Sequence, residues 1–559
     1  MLNQINNFFL EFNDYVDYNK KVEIQEKYNN LYRHLKHKIF RNKNTRKFLK
    51  NFKHLNRYIN KHNKKFINKQ LNLEMFNNIN GCLLDNNQRI AILTDEINSL
   101  IIAGAASGKT LTIIGKIKYL VEIKRVNPKD ILCISFTNDS CNNLKNKLNS
   151  TIEVLTFHKL ALKILKKKKY NISNISLEYT IDEYFHCIIY NNESMIIKVF
   201  KIFEIDYNIS NYLQLLKSNK YKLLKNIIIT FINIFKTNNY TLKKLLEIKK
   251  KNNKDLLSLI IDIYFLYEQE LKSINAIDFN DMINLAIKEL DNNNTLFNYQ
   301  YIIIDEYQDT SYTRYKLIKK IIDKTQAKLI AVGDDWQSIY QFTGCNLDIF
   351  LKFEEYFGYT KKLYITNTYR NSQELINIAS KFILKNKKQL KKKLKSTKHL
   401  NKPIKIIYEK ENILEKIIKL VAIKEINNIL ILGRNNQDIH KYLTNTLKIN
   451  KDIITYEHNK SLYIRYLTVH KSKGLEAECV IIINLIDSAL GFPNKIKNNE
   501  IIDLLNKNNI NQIDEERRLF YVALTRTKNE VYLVVPIKNK SIFVQEIIKD
   551  NKKNIEIID

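Results

Sequence analysis

Seven stretches of the chain run apolar for about a strand's length: SLIIA (99–103), YIII (301–304), KLIAV (328–332), IKIIY (404–408), NILIL (428–432), VIIINLI (480–486) and VYLVV (531–535). Runs without polar alternation predict strands buried on both faces, as in parallel sheets covered by helices, and so an α/β protein. Two long segments carry apolar residues at helical spacing instead. Residues 1–80, rich in lysine and asparagine, predict a helical extension; 169–275 predict a helical insertion that no glycine or proline interrupts. Apolar tracts such as NIIITFINIF (226–235) are too short to span a bilayer.

Composition adds scale and a partner class. With 559 residues, 45% of them hydrophobic, the chain can bury several cores, which predicts three or four domains. The opening MLNQINNFFLEFNDYVDYNKK lacks the basic-then-apolar build of a signal peptide, so an intracellular, cytoplasmic protein without a membrane partner is expected. Six cysteines (82, 133, 141, 187, 345, 479) form no CxxC pair, which argues against a zinc ribbon or disulfide framework and fits a reducing compartment.

A net charge of +34 points to a polyanion such as nucleic acid. The excess is carried by 79 lysines against only 13 arginines, beside abundant Asn and Ile, a bias that an AT-rich genome produces. The lysine runs 166–169 and 391–393 are therefore expected to be solvated faces. The same bias makes scarce residues informative: five of the ten glycines and five of the arginines fall within the motifs below.

SLIIAGAASGKTLTIIGKI passes from an apolar strand through small residues into a helix, the layout of a P-loop. Gly104, Ala105, Ala106, Ser107 and Gly108 allow backbone N–H groups to wrap phosphate oxygens. Lys109 then reaches the outer phosphates and Thr110 offers a hydroxyl to Mg²⁺. Ala103 replaces the first consensus glycine. In YIIIDEYQDTS a buried strand delivers two acids, Asp305 to the Mg²⁺ shell and Glu306 to orient and deprotonate water. Phosphoryl transfer also needs planar cationic charge, for which the scarce arginines Arg370 (LYITNTYRNS) and Arg526 (EERRLFYVALTRTK) are candidates from a second domain closing on the nucleotide. Arg517 and Arg518 are expected to be surface pairs with Glu515 and Glu516.

Taken in order, LDNNQRIAI, AGAASGKT, ISFTND, LTFHKLA, IDFNDM, IIIDEYQDTS, VGDDWQSIYQFTG, NTYRNS, LTVHKSKGLEAE and EERRLFYVALTRTK resemble the motif series of superfamily 1A helicases of the UvrD/Rep type, with a likeness to DNA helicase IV, over about residues 50–540. GLEAE is nearer the UvrD form, and Ala106 stands where that family usually has glycine. The resemblance implies two RecA-like domains closing on ATP and Mg²⁺ while the protein moves along single-stranded DNA. It further implies that Gln88 reads adenine, Tyr369 stacks on it, Glu476 holds the ribose and Gln337 senses the γ-phosphate.

Asp334 and Gln337 follow the strand KLIAV and are expected to face the nucleotide, with Tyr340 and Phe342 offering rings to bases. Phe136 is a further stacking residue by resemblance. Trp336 serves either the core or the strand path, the core being preferred. Thr137, Thr156 and His158, at helix starts, are candidates for phosphate contact, and each lone histidine, His470 included, serves either DNA or a structural hydrogen bond.

The implied organisation is an extension (1–80), a first RecA-like domain 1A (81–168 and 276–365), a helical 1B insertion (169–275) and a second RecA-like domain 2A (366–559). About 27 residues separate GRNNQD from YLTVHK, too few for the 2B subdomain of larger relatives. The lysine-rich segment 381–403, without one acid, is a candidate duplex grip. The expected function is an ATP-dependent 3′→5′ single-stranded DNA translocase or helicase acting at single/double-strand junctions in repair, replication or recombination. The alternative is a motor remodelling RNA polymerase or another nucleoprotein.

Overall fold

The computed structural model describes residues 2–558 apart from 39–41, 149–151, 166–169, 174, 252–254, 293–296, 496–499 and 506–511. The lysine run 166–169 lies outside the described residues. Among these residues, no helix is long and apolar enough to cross a membrane.

Two sheets organise the molecule. The first contains β1 (Asn98–Ala103), β2 (Ile131–Ile134), β3 (Glu153–Leu155), β4 (Tyr301–Ile304), β5 (Lys328–Gly333) and β6 (Lys361–Ile365). They lie in the order β3-β2-β4-β5-β1-β6, and every pairing is parallel. In the inner strands β2, β4, β5 and β1, apolar sequence runs largely uninterrupted because both faces are covered: Leu100 and Ile102 enter one core, Ile101 and Ala103 the opposite one.

The second sheet contains β7 (Ile404–Tyr408), β8 (Asn428–Gly433), β9 (Leu447–Asn450), β10 (Ile453–Tyr456), β11 (Tyr463–Thr468), β12 (Ala477–Ile482), β13 (Thr527–Val535) and β14 (Ile555–Ile558), in the order β9-β10-β11-β8-β12-β13-β7-β14. Its pairings are parallel except at one edge, where β9 and β10 form an antiparallel hairpin joined to β11. That hairpin, Leu447–Tyr456, lies in the interval between Gly433 and Tyr463 where larger relatives were expected to carry more chain.

Between β3 and β4 the chain leaves the first sheet for a helical bundle that includes Asn219–Thr237 and Asp255–Ser273. The short helix Glu500–Asp503 falls in the range expected for the second lobe, yet Ile501, Ile502 and Leu505 pack in the bundle's core. Tyr240 Oη donates to Leu505 O at 2.8 Å. Four apolar residues in five, Ile501, Ile502, Leu504 and Leu505, cannot by themselves say which of two neighbouring cores they enter.

The N-terminal helices Leu2–Leu10, Tyr18–Lys36, Lys43–Lys53 and Leu55–Gln70 enclose their own core around Phe8 and Phe48. They dock at the amino ends of the first sheet's strands. Lys328, at the start of β5, pairs with Asp17 at 2.8 Å, Glu96 accepts from Tyr18 N at 2.6 Å, and Tyr18 stacks on Tyr359 at 4.6 Å.

Candidate nucleotide and nucleic-acid site

Residues 104–108 turn from β1 into helix Lys109–Lys118. Gly108 has φ +78°, and a Cβ there would lie 2.5 Å from Gln88 Nε2, so glycine is required twice over. Ala106 holds φ +55°, a left-handed conformation that costs an L-residue about 1 kcal/mol and glycine nothing. Ser107 Oγ donates to Gly104 O at 3.0 Å. Gln88 is fully buried: its Oε1 accepts from Asp85 N at 2.9 Å in a capping box, and its Nε2 donates to Ser107 O at 3.2 Å. Its side chain thus braces the loop in this structure.

Lys109 Nζ sits 3.1 Å from Glu306 Oε1. Glu306 itself has φ +51°, a strained conformation that turns its carboxylate from the end of β4 back toward the P-loop. Burial, and then the neighbouring Glu306 carboxylate, push Asp305 up from the usual carboxylate range; burial also opposes charge on Glu306, but Lys109 and Lys473 hold it low. Gln308 Nε2 donates to Glu306 Oε2 at 2.6 Å, and Gln308 Oε1 accepts from Asp334 N at 2.9 Å. That approach is close enough that a Cβ on Gly333 would stand 2.5 Å from Gln308 Oε1. Asp334 accepts from Gln337 Nε2 at 2.5 Å, and Gln337 Oε1 accepts from Arg526 Nη2 at 3.0 Å. A continuous chain of polar contacts therefore runs from the P-loop lysine to a guanidinium of the second lobe.

Arg526 is almost completely buried, and burial, followed by nearby Arg370, pulls its pKa down to about 9, so it remains a cation at neutral pH. Arg370 Nε pairs with Glu476 at 2.8 Å and its Nη1 donates to Thr525 O at 3.1 Å. Lys528 holds Glu476 from another side at 2.9 Å. Tyr369 N donates to Ala106 O at 3.2 Å, and its ring is 59% exposed beside the loop. Lys109, Glu306, Gln337, Arg526, Arg370, Tyr369 and Glu476 are thus linked around one cleft, with Thr110 half-buried in the first turn of the P-loop helix.

Two lysines were overlooked in the sequence. Lys392 is buried, pairs with Asp334 and with Asp335 Oδ1 at 2.7 Å, and donates to Ala103 O at 3.3 Å. Its ammonium also lies 4.5 Å from the Trp336 ring, which is completely buried and donates through Nε1 to Leu390 O at 2.9 Å. One expectation is corrected here: residues 391–393 are not a uniformly solvated run. In 381–403 some lysines are engaged, while Lys387, Lys388, Lys391, Lys393 and Lys395 are exposed. Lys385 pairs with Glu546 and Asp550, and Lys398 donates to Asn529. Lys473 pairs with Asp309 and donates to Gln337 O at 2.9 Å; membership of the quoted TVHKSKG motif was its only signal.

Arg517 and Arg518 are likewise not surface partners of Glu515 and Glu516. Arg517 pairs with Glu546, Glu516 with Arg434 at 2.8 Å, and buried Arg518 donates to Ser338 O at 2.6 Å across the lobes.

Beyond the nucleotide cleft, four rings gather where the lobes meet. Phe136 and Tyr340 lie 6.1 Å apart and 8° from parallel, Phe342 stands 6.2 Å from Tyr340, and His470 is edge-on to Phe342 at 5.4 Å. Phe342 is 53% exposed, and Arg314 sits 4.5 Å over Phe136. The other residues expected at DNA make local contacts. Thr137 Oγ1 caps a helix by accepting from Ser140 N at 3.1 Å, and Thr156, which is buried, accepts from Lys159 N at 3.3 Å. His158 packs edge-on to Phe279 at 5.4 Å. Burial and then Arg314 pull His158 down to about 4; burial, Arg434 and Lys473 pull His470 down to about 3. Both rings are neutral near pH 7.

Comparison with known proteins agrees with this architecture. The UvrD/REP helicase N-terminal domain matches residues 84–358, and the UvrD-like helicase C-terminal domain matches 449–537. DNA helicase IV of Escherichia coli (strain K12) is 26% identical over 503 residues, covering 85% of this chain and 72% of that protein. ATP-dependent DNA helicase Rep of Buchnera aphidicola subsp. Schizaphis graminum is 28% identical over 506 residues, 84% of this chain and 72% of the relative. ATP-dependent DNA helicase PcrA of Staphylococcus epidermidis is 28% identical over 323 residues, 56% and 41% respectively. With two α/β lobes, a P-loop in the first and both domain types in order along the chain, the protein belongs to the UvrD/Rep helicase family.

Proposed function

We propose that the protein is a cytoplasmic ATP-driven motor that moves 3′→5′ along single-stranded DNA and engages single/double-strand junctions. The observation that carries this reading is the polar chain from Lys109 through Glu306, Gln308, Asp334 and Gln337 to Arg526. A triphosphate lying between its ends touches both lobes, so loss of the γ-phosphate changes how they are held together.

In this reading the P-loop amides and Lys109 hold the phosphates, and Tyr369 stacks on the base. Glu306 aligns a water and takes its proton as the water oxygen attacks the γ-phosphorus and ADP leaves. Arg370 and Arg526 stabilise the charge that develops on the transferred phosphoryl group. Thr110 and Asp305 supply hard oxygen donors suited to Mg²⁺, and the adjacent buried carboxylates of Asp305 and Glu306 leave negative charge that a divalent cation would offset. Mg²⁺ held by these residues would supply positive charge to offset that of the phosphates.

The track is the ring cluster. Its members come from both lobes, every base has a face to stack on them, and Tyr340 and Phe342 lie three and five residues from Gln337. The test is ATP turnover with and without single-stranded DNA. Stimulation by DNA is expected, with Lys109→Ala, Glu306→Gln and Arg526→Lys each lowering kcat by about a hundredfold or more. Turnover indifferent to DNA, or surviving in Glu306→Gln, refutes the reading; displacement from substrates with a 3′ or a 5′ overhang assigns the direction.

A further inference from the structure

The strongest unassigned feature lies on the far side of the first lobe from the motor. From Lys27 to Leu73 the chain has 15 lysines and arginines and no acid in 47 residues, where the average acid content would place about five. Codon bias adds lysine but does not remove carboxylates, and four of the 13 arginines fall here. The acids that precede this stretch are largely engaged: Asp14 and Asp17 turn toward the first lobe to pair with Lys124 and Lys328, and Glu11 pairs with Lys20 and Lys27.

The helices turn this excess into faces. Helix Lys43–Lys53 buries Thr45, Phe48 and Phe52 and exposes Lys43, Arg46, Lys50 and Lys53 at helical spacing on the other side. Helix Leu55–Gln70 buries Leu55, Ile59 and Asn63 and exposes Arg57, Lys61, Lys64 and Lys65. No large hydrophobic side chain is exposed among the described residues of 27–73. The surface therefore offers charge without rings for stacking single-stranded bases and without apolar wedges for entering a bilayer.

We infer that this N-terminal face is a second nucleic-acid site that binds the phosphate backbone of duplex DNA without regard to sequence. It lies at the amino ends of the strands, whereas the P-loop and Gln337 lie at their carboxyl ends. The six residues of β1 separate the two sites by roughly 20 Å. Duplex held there tethers the protein without entering the cleft.

The test uses the full chain and a blunt duplex of about 20 base pairs, followed by fluorescence anisotropy over a range of salt. Two variants are compared with the parent: Lys43→Gln with Arg46→Gln, Lys50→Gln and Lys53→Gln, and Arg57→Gln with Lys61→Gln, Lys64→Gln and Lys65→Gln. In at least one, duplex affinity is expected to fall about tenfold or more at 0.1 M salt, and the slope of log affinity against log salt to flatten by about 0.9 for each phosphate that the protein no longer neutralises. Arginine at the same lysines is expected to keep the affinity, and ATP turnover stimulated by single-stranded DNA to stay at the parent level.

Unchanged duplex affinity and slope in both variants overturn the inference. So does an equal loss for duplex and single strands, or a loss confined to vesicles of anionic lipid. A parent protein that binds duplex through this face but shows no DNA-stimulated turnover would refute the motor reading alone.

Discussion

Lys392 shows how much rests on one buried charge. Its ammonium is enclosed with Asp334 and Asp335 under Trp336, where water cannot replace it. Lys392→Met is expected to cost about 3–5 kcal/mol in urea unfolding, because it strands two carboxylates in the interior, and Lys392→Arg appreciably less. The neutral histidines give a second expectation. Burial depresses His158 to about 4 and His470 to about 3, from an ordinary 6.5, so below pH 6.5 the unfolded chain takes up protons that the native chain refuses. Stability is then lost as pH falls, by up to about 1.4 kcal/mol per pH unit for each ring. The drop in urea midpoint between pH 7 and pH 5 should be smaller in His470→Gln than in the parent; equal drops would contradict the assignment.

The loop after β5 is the element on which the two ligand sites converge. Its first turn holds Asp334, Trp336 and Gln337, and its second presents Tyr340 and Phe342. Gly333 lets the loop lie directly against Gln308, so a change at the acids after β4 reaches it through one hydrogen bond. Phe342 is the most open ring of the cluster, and Phe342→Ala should weaken binding of a single-stranded oligonucleotide by about 1–3 kcal/mol in a direct titration. A loss well below that would move the track elsewhere.

Across the whole molecule, function depends on how the lobes meet. The contacts Arg526 to Gln337, Lys473 to Asp309 and Arg518 to Ser338 all cross that seam. Trp336, the only tryptophan, is buried there edge-on to Tyr521 at 5.4 Å. Its fluorescence should change when a non-hydrolysable ATP analogue binds with Mg²⁺, and the change should vanish in Trp336→Phe. Binding by calorimetry with no change in emission would show that closure does not reach this loop.

Strand-forming runs, the P-loop and the paired acids were legible in the linear order of residues, because each depends on neighbours within a few positions and on a backbone that only small residues allow. The scarcity of arginine singled out Arg370 and Arg526, and the structure places both beside the P-loop cleft. What could not be read were partnerships across hundreds of positions. Gln88 bracing the P-loop, Lys392 entering between two aspartates, Arg517 turning to Glu546 and the helix at 500–503 joining the insertion's core all depend on which surfaces come together. Charge and hydrophobicity say what a side chain needs, but burial beside a particular partner selects among the residues able to supply it, and that selection is made when the lobes pack.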